Sequence, residues 1–134
     1  MEHYKTMHEA ARAGNFADVK WHLQKGASVN AREKYGRKAL ECAVKNGYLD
    51  IVKALVAKGA DVNAFNKDRE TPLMWASRDG NLAMVKFLVA KGANVNARKK
   101  GRWTPLMWAV QYDGLYGRVN LDAVEFLKQH GAKE

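Results

Sequence analysis

The sequence predicts an all-α repeat solenoid, and three observations carry that prediction. Pro72 and Pro105 lie 33 residues apart. Gly26, Gly59 and Gly92 recur at the same spacing and open the near-identical strings GASVNAR, GADVNAF and GANVNAR. Between these markers the apolar residues fall at helical intervals in short runs. A fixed period of this size marks a stack of repeated units, none of which can bury its own core alone.

Residues 66–98, NKDRETPLMWASRDGNLAMVKFLVAKGANVNAR, are the cleanest copy of the unit. Thr71 is suited to accept a backbone N–H as N-cap, and Pro72 fits the first helical position, where its missing donor costs nothing. The first helix of the unit therefore starts at Thr71-Pro72, buries Leu73, Ala76 and Ser77, and stops at Asp79-Gly80. The second spans about residues 82–91 on the spacing of Leu82, Val85, Leu88 and Val89, and ends at Gly92. Neither reaches the roughly 12 to 15 residues that an isolated helix needs in water, so stacking between copies must hold them.

TPLMWA, the turn Asp79-Gly80-Asn81-Leu82 and VKFLVAKGANVNA resemble the ankyrin repeat. The resemblance covers nearly the whole chain as four copies in register, residues 1–32, 33–65, 66–98 and 99–134. It implies one domain, an L-shaped stack of helix-turn-helix units joined by β-turn fingers that project from one edge. It also implies that the histidine of the family's Thr-Pro-Leu-His signature ties neighbouring turns. Met74, Met107 and Glu41 replace that histidine here, and His8 alone keeps the place, where it is read as a structural or exposed terminal residue.

The first copy departs where an end repeat should. Asp18 stands where later copies have Ile51 or Met84, His22 where they have Leu55, Leu88 and Leu127, and Glu9 in the column of Cys42, Trp75 and Trp108. With no neighbour on the outer face, these are expected to form a polar, solvent-facing cap. In the second copy Lys38-Ala39-Leu40-Glu41 replaces the Thr-Pro start. A lost cap costs about 0.5–2 kcal/mol, so this finger and helix start are expected to be the softest interior segment. In the fourth copy 26 residues separate Pro105 from Gly131, against 20 from Pro72 to Gly92. The six extra residues fall at 113–118, DGLYGR, between the two helices, where a longer loop is cheap. Lys128, in place of Val56 and Val89, is the polar cap at the far end.

Composition narrows the function. With 134 residues, 47% of them hydrophobic, and no linker or low-complexity run, the chain is expected to be a single module. It has no apolar run of about 18 residues, and MEHYKTMHEA lacks the apolar stretch of a signal peptide, so a soluble, cytoplasmic, monomeric protein without membrane contact is expected. Cys42 is the sole cysteine, which excludes an internal disulfide and agrees with a reducing compartment. His3, His8, His22 and His130 form no metal-binding spacing, there is no Gly-rich phosphate loop, and Cys42 has no evident base. No catalytic residue, cofactor or metal is therefore expected. Asn30, Asn63 and Asn96 recur before alanine and are read as bonding their own turn backbone; the resemblance adds that such asparagines are hydroxylated in animal cells.

The charge goes beyond the fold. Net charge is +9, with Arg32, Lys34, Arg37 and Lys38 crowding one finger and Arg98, Lys99, Lys100 and Arg102 another. In the finger between them Lys67 and Arg69 alternate with Asp68 and Glu70, and Arg12, Lys45 and Arg78 share one column of the register, continued by Gln111. Solvation alone tolerates such a column, because like charges about 10 Å apart repel by roughly 0.4 kcal/mol in water. Lys25, Lys58 and Lys91 suit the ends of the second helices and read as structural. Aromatic interleaving argues for recognition in the first group: Tyr35 at a finger tip, Trp103 before Thr104-Pro105 and Tyr112 at a helix end.

Aromatic and Arg side chains dominate binding hot spots, which makes Trp103, expected exposed on its turn, the best single anchor unless it packs on the terminal finger or the 113–118 loop. Trp75 and Trp108, inside helices, are expected to be core. The resemblance places the column and the fingers on the family's concave binding surface. The candidate partner-binding set is therefore Arg12, Lys34, Tyr35, Arg37, Lys45, Lys67, Arg78, Lys100, Arg102, Trp103 and Tyr112. The expected function is a non-enzymatic protein-binding module that presents this basic, aromatic-containing surface to an acidic protein. Nucleic-acid binding follows from the charge alone, with no reading motif behind it. An artificial consensus scaffold follows from repeat regularity, against which the irregular second copy and the insertion speak.

Overall fold

Side-chain oxygens start most of the helices. The Thr6 hydroxyl accepts the Glu9 N–H at 3.1 Å, Asn15 the Asp18 N–H at 3.0 Å, Thr71 the Met74 N–H at 3.4 Å, Asn81 the Met84 N–H at 3.2 Å and Thr104 the Met107 N–H at 3.3 Å. Each satisfies a donor that the first helical turn leaves open. The computed structural model describes residues 3–111 and 121–133, and eight α-helices form among them, without a strand. Lys38 stands at the start of its helix with no side-chain cap, as its sequence predicts. Lys25, Lys58 and Lys91 are the closing residues of their helices, where a cation suits the exposed carbonyls.

The chain divides into two compact units, Met1–Asp61 and Val62–Glu134. In the first, α1 (Met7–Ala13) pairs with α2 (Phe16–Gln24) and α3 (Ala39–Lys45) with α4 (Leu49–Ala57); α1 packs on α3 and α2 on α4. In the second, α5 (Pro72–Asp79) pairs with α6 (Leu82–Ala90) and α7 (Pro105–Gln111) with α8 (Leu121–Gln129); α5 packs on α7 and α6 on α8. Each unit is thus a helix pair stacked on a helix pair, the all-α repeat arrangement that the period predicts. The 113–118 insertion and Tyr112 lie outside the described residues.

Burial follows the short elements. In the first unit Ala10, Ala11, Ala39 and Ala43 are buried where α1 meets α3, and Val19, Ile51, Val52 and Leu55 fill the space around α2 and α4. Gly14 closes α1 at φ 76°, and a Cβ there would sit 2.7 Å from the Tyr48 ring, so both conformation and space demand glycine. In the second unit α5 is buried from Pro72 through Ser77, a wider face than Leu73, Ala76 and Ser77, because α6 and α7 both pack against it. Trp75 and Trp108 are core, as expected. Met74, in the signature's histidine position, turns back on its own cap and accepts the Thr71 N–H at 3.4 Å. His8, which keeps that position, is buried and its Nε2 bonds the Ala31 carbonyl at 2.7 Å, tying α1 to the segment before the first finger.

Two expectations are corrected. Asp18 and His22 are not solvent-facing: both are buried beneath the chain's own N-terminal segment. The Tyr4 N–H donates to Asp18 at 2.7 Å, His3 Nδ1 lies 2.7 Å from the same carboxylate, and His22 Nε2 bonds the Tyr4 carbonyl at 2.8 Å. His3 also stacks on Trp21 at 4.0 Å. A polar end column is here the seat of a strap rather than a bare surface, and the His3 hydrogen bond holds the Asp18 carboxyl below its ordinary range.

The second correction concerns Asn30, Asn63 and Asn96, which reach the next repeat rather than their own turn. The Asn30 amide donates to the Gly59 carbonyl at 3.0 Å while its oxygen accepts the Asp61 N–H at 3.0 Å. Asn63 does the same with Gly92 and Asn94 at 3.0 and 2.8 Å. Asn96 does so with Gly131 and Lys133 at 3.0 and 2.9 Å. The last clamp spans 35 and 37 residues where the others span 29 and 31, so the six-residue insertion leaves the clamp geometry unchanged.

Asn63→Ala removes both halves of one clamp and is expected to cost about 1–2 kcal/mol in urea unfolding. Asn63→Asp should be no better at neutral pH, since its second oxygen would face the Gly92 carbonyl. A turn that used the side chain only as an acceptor would instead take Asp without loss.

Candidate protein-binding fingers

Each finger is a β-turn tip closed by two backbone hydrogen bonds. In the first, the Gly36 N–H donates to the Glu33 carbonyl and the Glu33 N–H to the Arg37 carbonyl, both at 2.8 Å. In the second, Arg69 donates to Asn66 at 2.9 Å and Asn66 to Glu70 at 3.2 Å; in the third, Arg102 donates to Lys99 and Lys99 to Trp103, both at 2.9 Å. The fourth residue of each tip is left-handed: Gly36 at φ 81°, Arg69 at 61° and Arg102 at 68°. Glycine adopts this conformation freely, whereas a residue with a Cβ incurs about 1–2 kcal/mol.

Glu33 organises the first finger. One carboxylate oxygen accepts the Tyr35 N–H at 2.8 Å and the Arg37 N–H at 3.1 Å, and the other lies 3.2 Å from the Arg37 guanidinium and 3.9 Å from that of Arg12. The hydrogen bond from Arg37, with help from the two backbone N–H groups and against the effect of burial, pulls the Glu33 carboxyl from 4.5 down to about 2. Tyr35 stands exposed at the tip, with Lys34 Nζ 4.9 Å and the Arg37 guanidinium 5.3 Å from its ring centre. In α3, Lys45 pairs with Glu41 at 3.4 Å. The uncapped start of α3 is therefore preceded by a tightly bonded finger, which an Arg32–Lys38 β-bridge closes at its base.

In the second unit Asn66 does the work of Glu33. Its oxygen accepts the Asp68 and Glu70 N–H groups at 2.9 and 3.0 Å, and its amide donates to the Glu70 carboxylate at 2.8 Å. Lys99 reaches the same carboxylate at 3.4 Å. Burial pushes Glu70 up, but hydrogen bonds from Asn66 and Lys99 together with the Lys99 charge outweigh it, and the carboxyl lies below its ordinary range. The Lys100 N–H donates to the Asp68 carbonyl at 3.0 Å, joining the second and third fingers. Arg78 pairs with Asp79 at 3.2 Å and lies 5.8 Å over Trp108.

The eleven candidates thus separate into kinds. Lys34, Tyr35, Lys67, Lys100 and Arg102 are exposed on fingers. Arg12, Arg37, Lys45 and Arg78 each face an internal carboxylate, so they are less available than the net charge suggests. Trp103 is half-buried rather than exposed: its carbonyl closes the third finger and its ring lies 3.6 Å from where a Gly101 Cβ would stand. Tyr112 lies outside the described residues. Sequence reasoning missed a groove of about 440 Å³ in the second unit, lined by Asn63, Phe65, Arg69, Thr71, Asn94, Ala97 and Arg98. The signal was present in the 33-residue register, where positions 32, 65 and 98 read Arg, Phe, Arg and positions 36, 69 and 102 read Gly, Arg, Arg.

Among the described residues no group of three or more His, Cys, Asp or Glu side chains is placed to hold a metal ion, and no helix is long and apolar enough to cross a membrane. Burial pushes the Cys42 thiol up, the opposite of what a nucleophile needs.

Arg69→Gly and Arg102→Gly, which remove a Cβ from a left-handed position, are each expected to stabilise the chain by about 0.5–1 kcal/mol in thermal unfolding, and Gly36→Ala to destabilise it by about 1 kcal/mol. Glu33 sets an acid limit. Its carboxyl is depressed in the folded chain, so its contribution is complete above pH 4.5 and fades as pH falls towards about 2. The stability difference between the unmodified chain and Glu33→Gln should shrink across that window in acid-titrated urea unfolding, and stay flat above it.

The family model described as ankyrin repeats (3 copies) matches residues 2–66 and 64–134. No curated protein matches the chain. Paired short helices, Thr-Pro starts and bonded fingers between them agree with that match over nearly the full length: the chain belongs to the ankyrin repeat family.

Proposed function

We propose that this ankyrin-repeat chain is a non-enzymatic module that binds an acidic protein partner through its basic, aromatic-bearing fingers, acting as a monomer in the cytoplasm. Ankyrin repeats generally mediate protein–protein interaction. The observation that carries the finer reading is the first finger tip: Tyr35, 66% exposed, is flanked by Lys34 and Arg37 on a turn that Glu33 holds from within. An aromatic ring between two cations suits a carboxylate-rich surface with an apolar contact at its centre. A turn already closed by its own hydrogen bonds loses little entropy on binding. The net charge of +9 would speed encounter with an acidic partner and disfavour basic ones.

Partners captured from source-cell lysate and eluted on a salt gradient are expected to be acidic proteins. Lys34→Glu with Arg102→Glu should abolish capture, and Tyr35→Ala should weaken the isolated complex by about 2 kcal/mol, as an anchor residue does. The competing reading is tested by titrating the purified chain with random single- and double-stranded oligonucleotides at two salt concentrations. Binding that persists near physiological salt, with log affinity falling by about 0.9 per phosphate neutralised on duplex DNA, would replace the acidic-protein reading.

A further inference from the structure

We infer that the segment before α1 is a releasable latch, and that its seat on α2, formed by Asp18, Trp21 and His22, is a peptide-reading site for an extended segment of another protein that carries histidine followed by any residue but proline. The finger surface has no part in it. Asp18 and His22 stand four residues apart, which puts a carboxylate and an imidazole on one face of α2. Between them they hold both backbone groups of one residue: the Tyr4 N–H donates to Asp18 at 2.7 Å, and His22 Nε2 donates to the Tyr4 carbonyl at 2.8 Å. In an antiparallel ladder a strand exchanges the same two bonds with the single residue opposite. The ring before Tyr4 is read as well: His3 lies flat on Trp21, with 4.0 Å between ring centres and 12° between planes, and its Nδ1 is 2.7 Å from the Asp18 carboxylate. His22 stands edge-on to Trp21 at 4.9 Å and 84°, so the carbonyl donor and the indole platform are fixed together.

Two features separate this seat from a plain end cap. A cap needs only polar side chains towards water, whereas Asp18 and His22 are 6% and 9% exposed and bonded to the chain that covers them. They also stand in the columns of Ile51 and Met84 and of Leu55 and Leu88, so positions that bury apolar side chains elsewhere present an acceptor and a donor here. The latch itself is held on the surface. Residues 3–6 are all exposed and the first buried apolar side chain is Met7, inside α1, so lifting the latch undoes hydrogen bonds and one ring stack without opening the core. Thr6 stays tied to α1 as its N-cap, and residues 3–5 are what lifts. Tyr4 is 43% exposed, so the seat reads its backbone and leaves its side chain unspecified. A tethered segment competes with an outside peptide at an effective concentration on the order of millimolar, which makes the latch autoinhibitory.

The test uses the full chain, labelled with carbon-13 and nitrogen-15, and an unlabelled probe, acetyl-Gly-His-Tyr-Lys-Thr-amide. In the unmodified chain the His3 ring protons, displaced upfield by stacking on Trp21, are expected to move back towards free values as excess peptide takes the seat. His3→Ala with Tyr4→Pro removes the ring and the N–H, opens the latch and should tighten peptide binding at least tenfold, with amide shifts along α2. In that background Asp18→Ala or His22→Phe should weaken binding by about tenfold, and so should N-methylation of the peptide's tyrosine, which deletes only the hydrogen that Asp18 accepts. Thermal unfolding of the opened variant should remain a single transition, because no core side chain is lost; should the variant fail to fold, the His3 displacement in the unmodified chain decides alone. Peptide that leaves the His3 protons in place, or an N-methylated peptide that binds as well as its parent, overturns the latch and makes the segment a fixed end cap. Shifts confined to the fingers overturn the seat without bearing on the acidic-partner reading.

Discussion

An asparagine carries one donor and one acceptor on the same short planar amide, and Asn30, Asn63 and Asn96 use both against the backbone of the following repeat. Aspartate lacks the donor and alanine both groups. Because the side chain is short, the two bonds fix where the end of one repeat's second helix lies relative to the end of the next. In the second unit the fingers at 66–70 and 99–103 follow directly from those segments, so their spacing is inherited from the Asn63 clamp. Helix packing alone would leave that spacing loose: buried alanines such as Ala10 and Ala43 allow close approach but have little shape with which to set a register. Apolar burial holds each unit together, and the amide pairs set its pitch.

On that frame, one register position is put to three different uses. Glu33, Asn66 and Lys99 open successive fingers. Glu33 folds its tip by accepting two N–H groups and a guanidinium, Asn66 accepts two N–H groups and passes its own amide to Glu70, and Lys99 accepts nothing but reaches across to Glu70. The backbone of the tip is the same each time. What changes is how much of the local charge is consumed internally. The first finger sets Arg37 against its own Glu33, whereas in the second unit the Glu70 carboxylate is met by Lys99 of the following finger. Electrostatics, rather than fold, therefore distinguishes the repeats as surfaces.

The helices were legible because their signals are local. Thr71-Pro72 and Gly80 state a start and a stop within a single turn of chain, and periodicity supplied the buried side. The interactions that sequence reading misjudged are those whose partner lies far along the chain. Nothing local to Asn63 indicates Gly92, and the polar Asp18 and His22 pointed to solvent until the N-terminal segment was found lying over them. The candidate surface was half legible. Exposed cations such as Lys34 and Lys100 were found from charge alone, but pairing of Arg37 with Glu33 depends on a turn that brings the two side chains face to face. Trp103 was expected exposed because its place just before Thr104-Pro105 carries no sign of the glycine turn it leans on. Arg98 was counted in its finger's cluster and Arg69 was set aside as balanced by its acidic neighbours, so the groove that they line with Phe65 went unread, although the fixed period marks Phe65 and Arg69 as departures from their own columns.

The clamps also determine how the molecule bears load. Each amide pair joins points about thirty residues apart and no further, so tension drawn along the chain meets the pairs one after another rather than all together. A fold closed by long-range sheet pairing resists until it fails as a whole. A chain fastened at such short intervals yields in increments, each releasing about one repeat's contour length, and the fingers on the untouched repeats keep their shape.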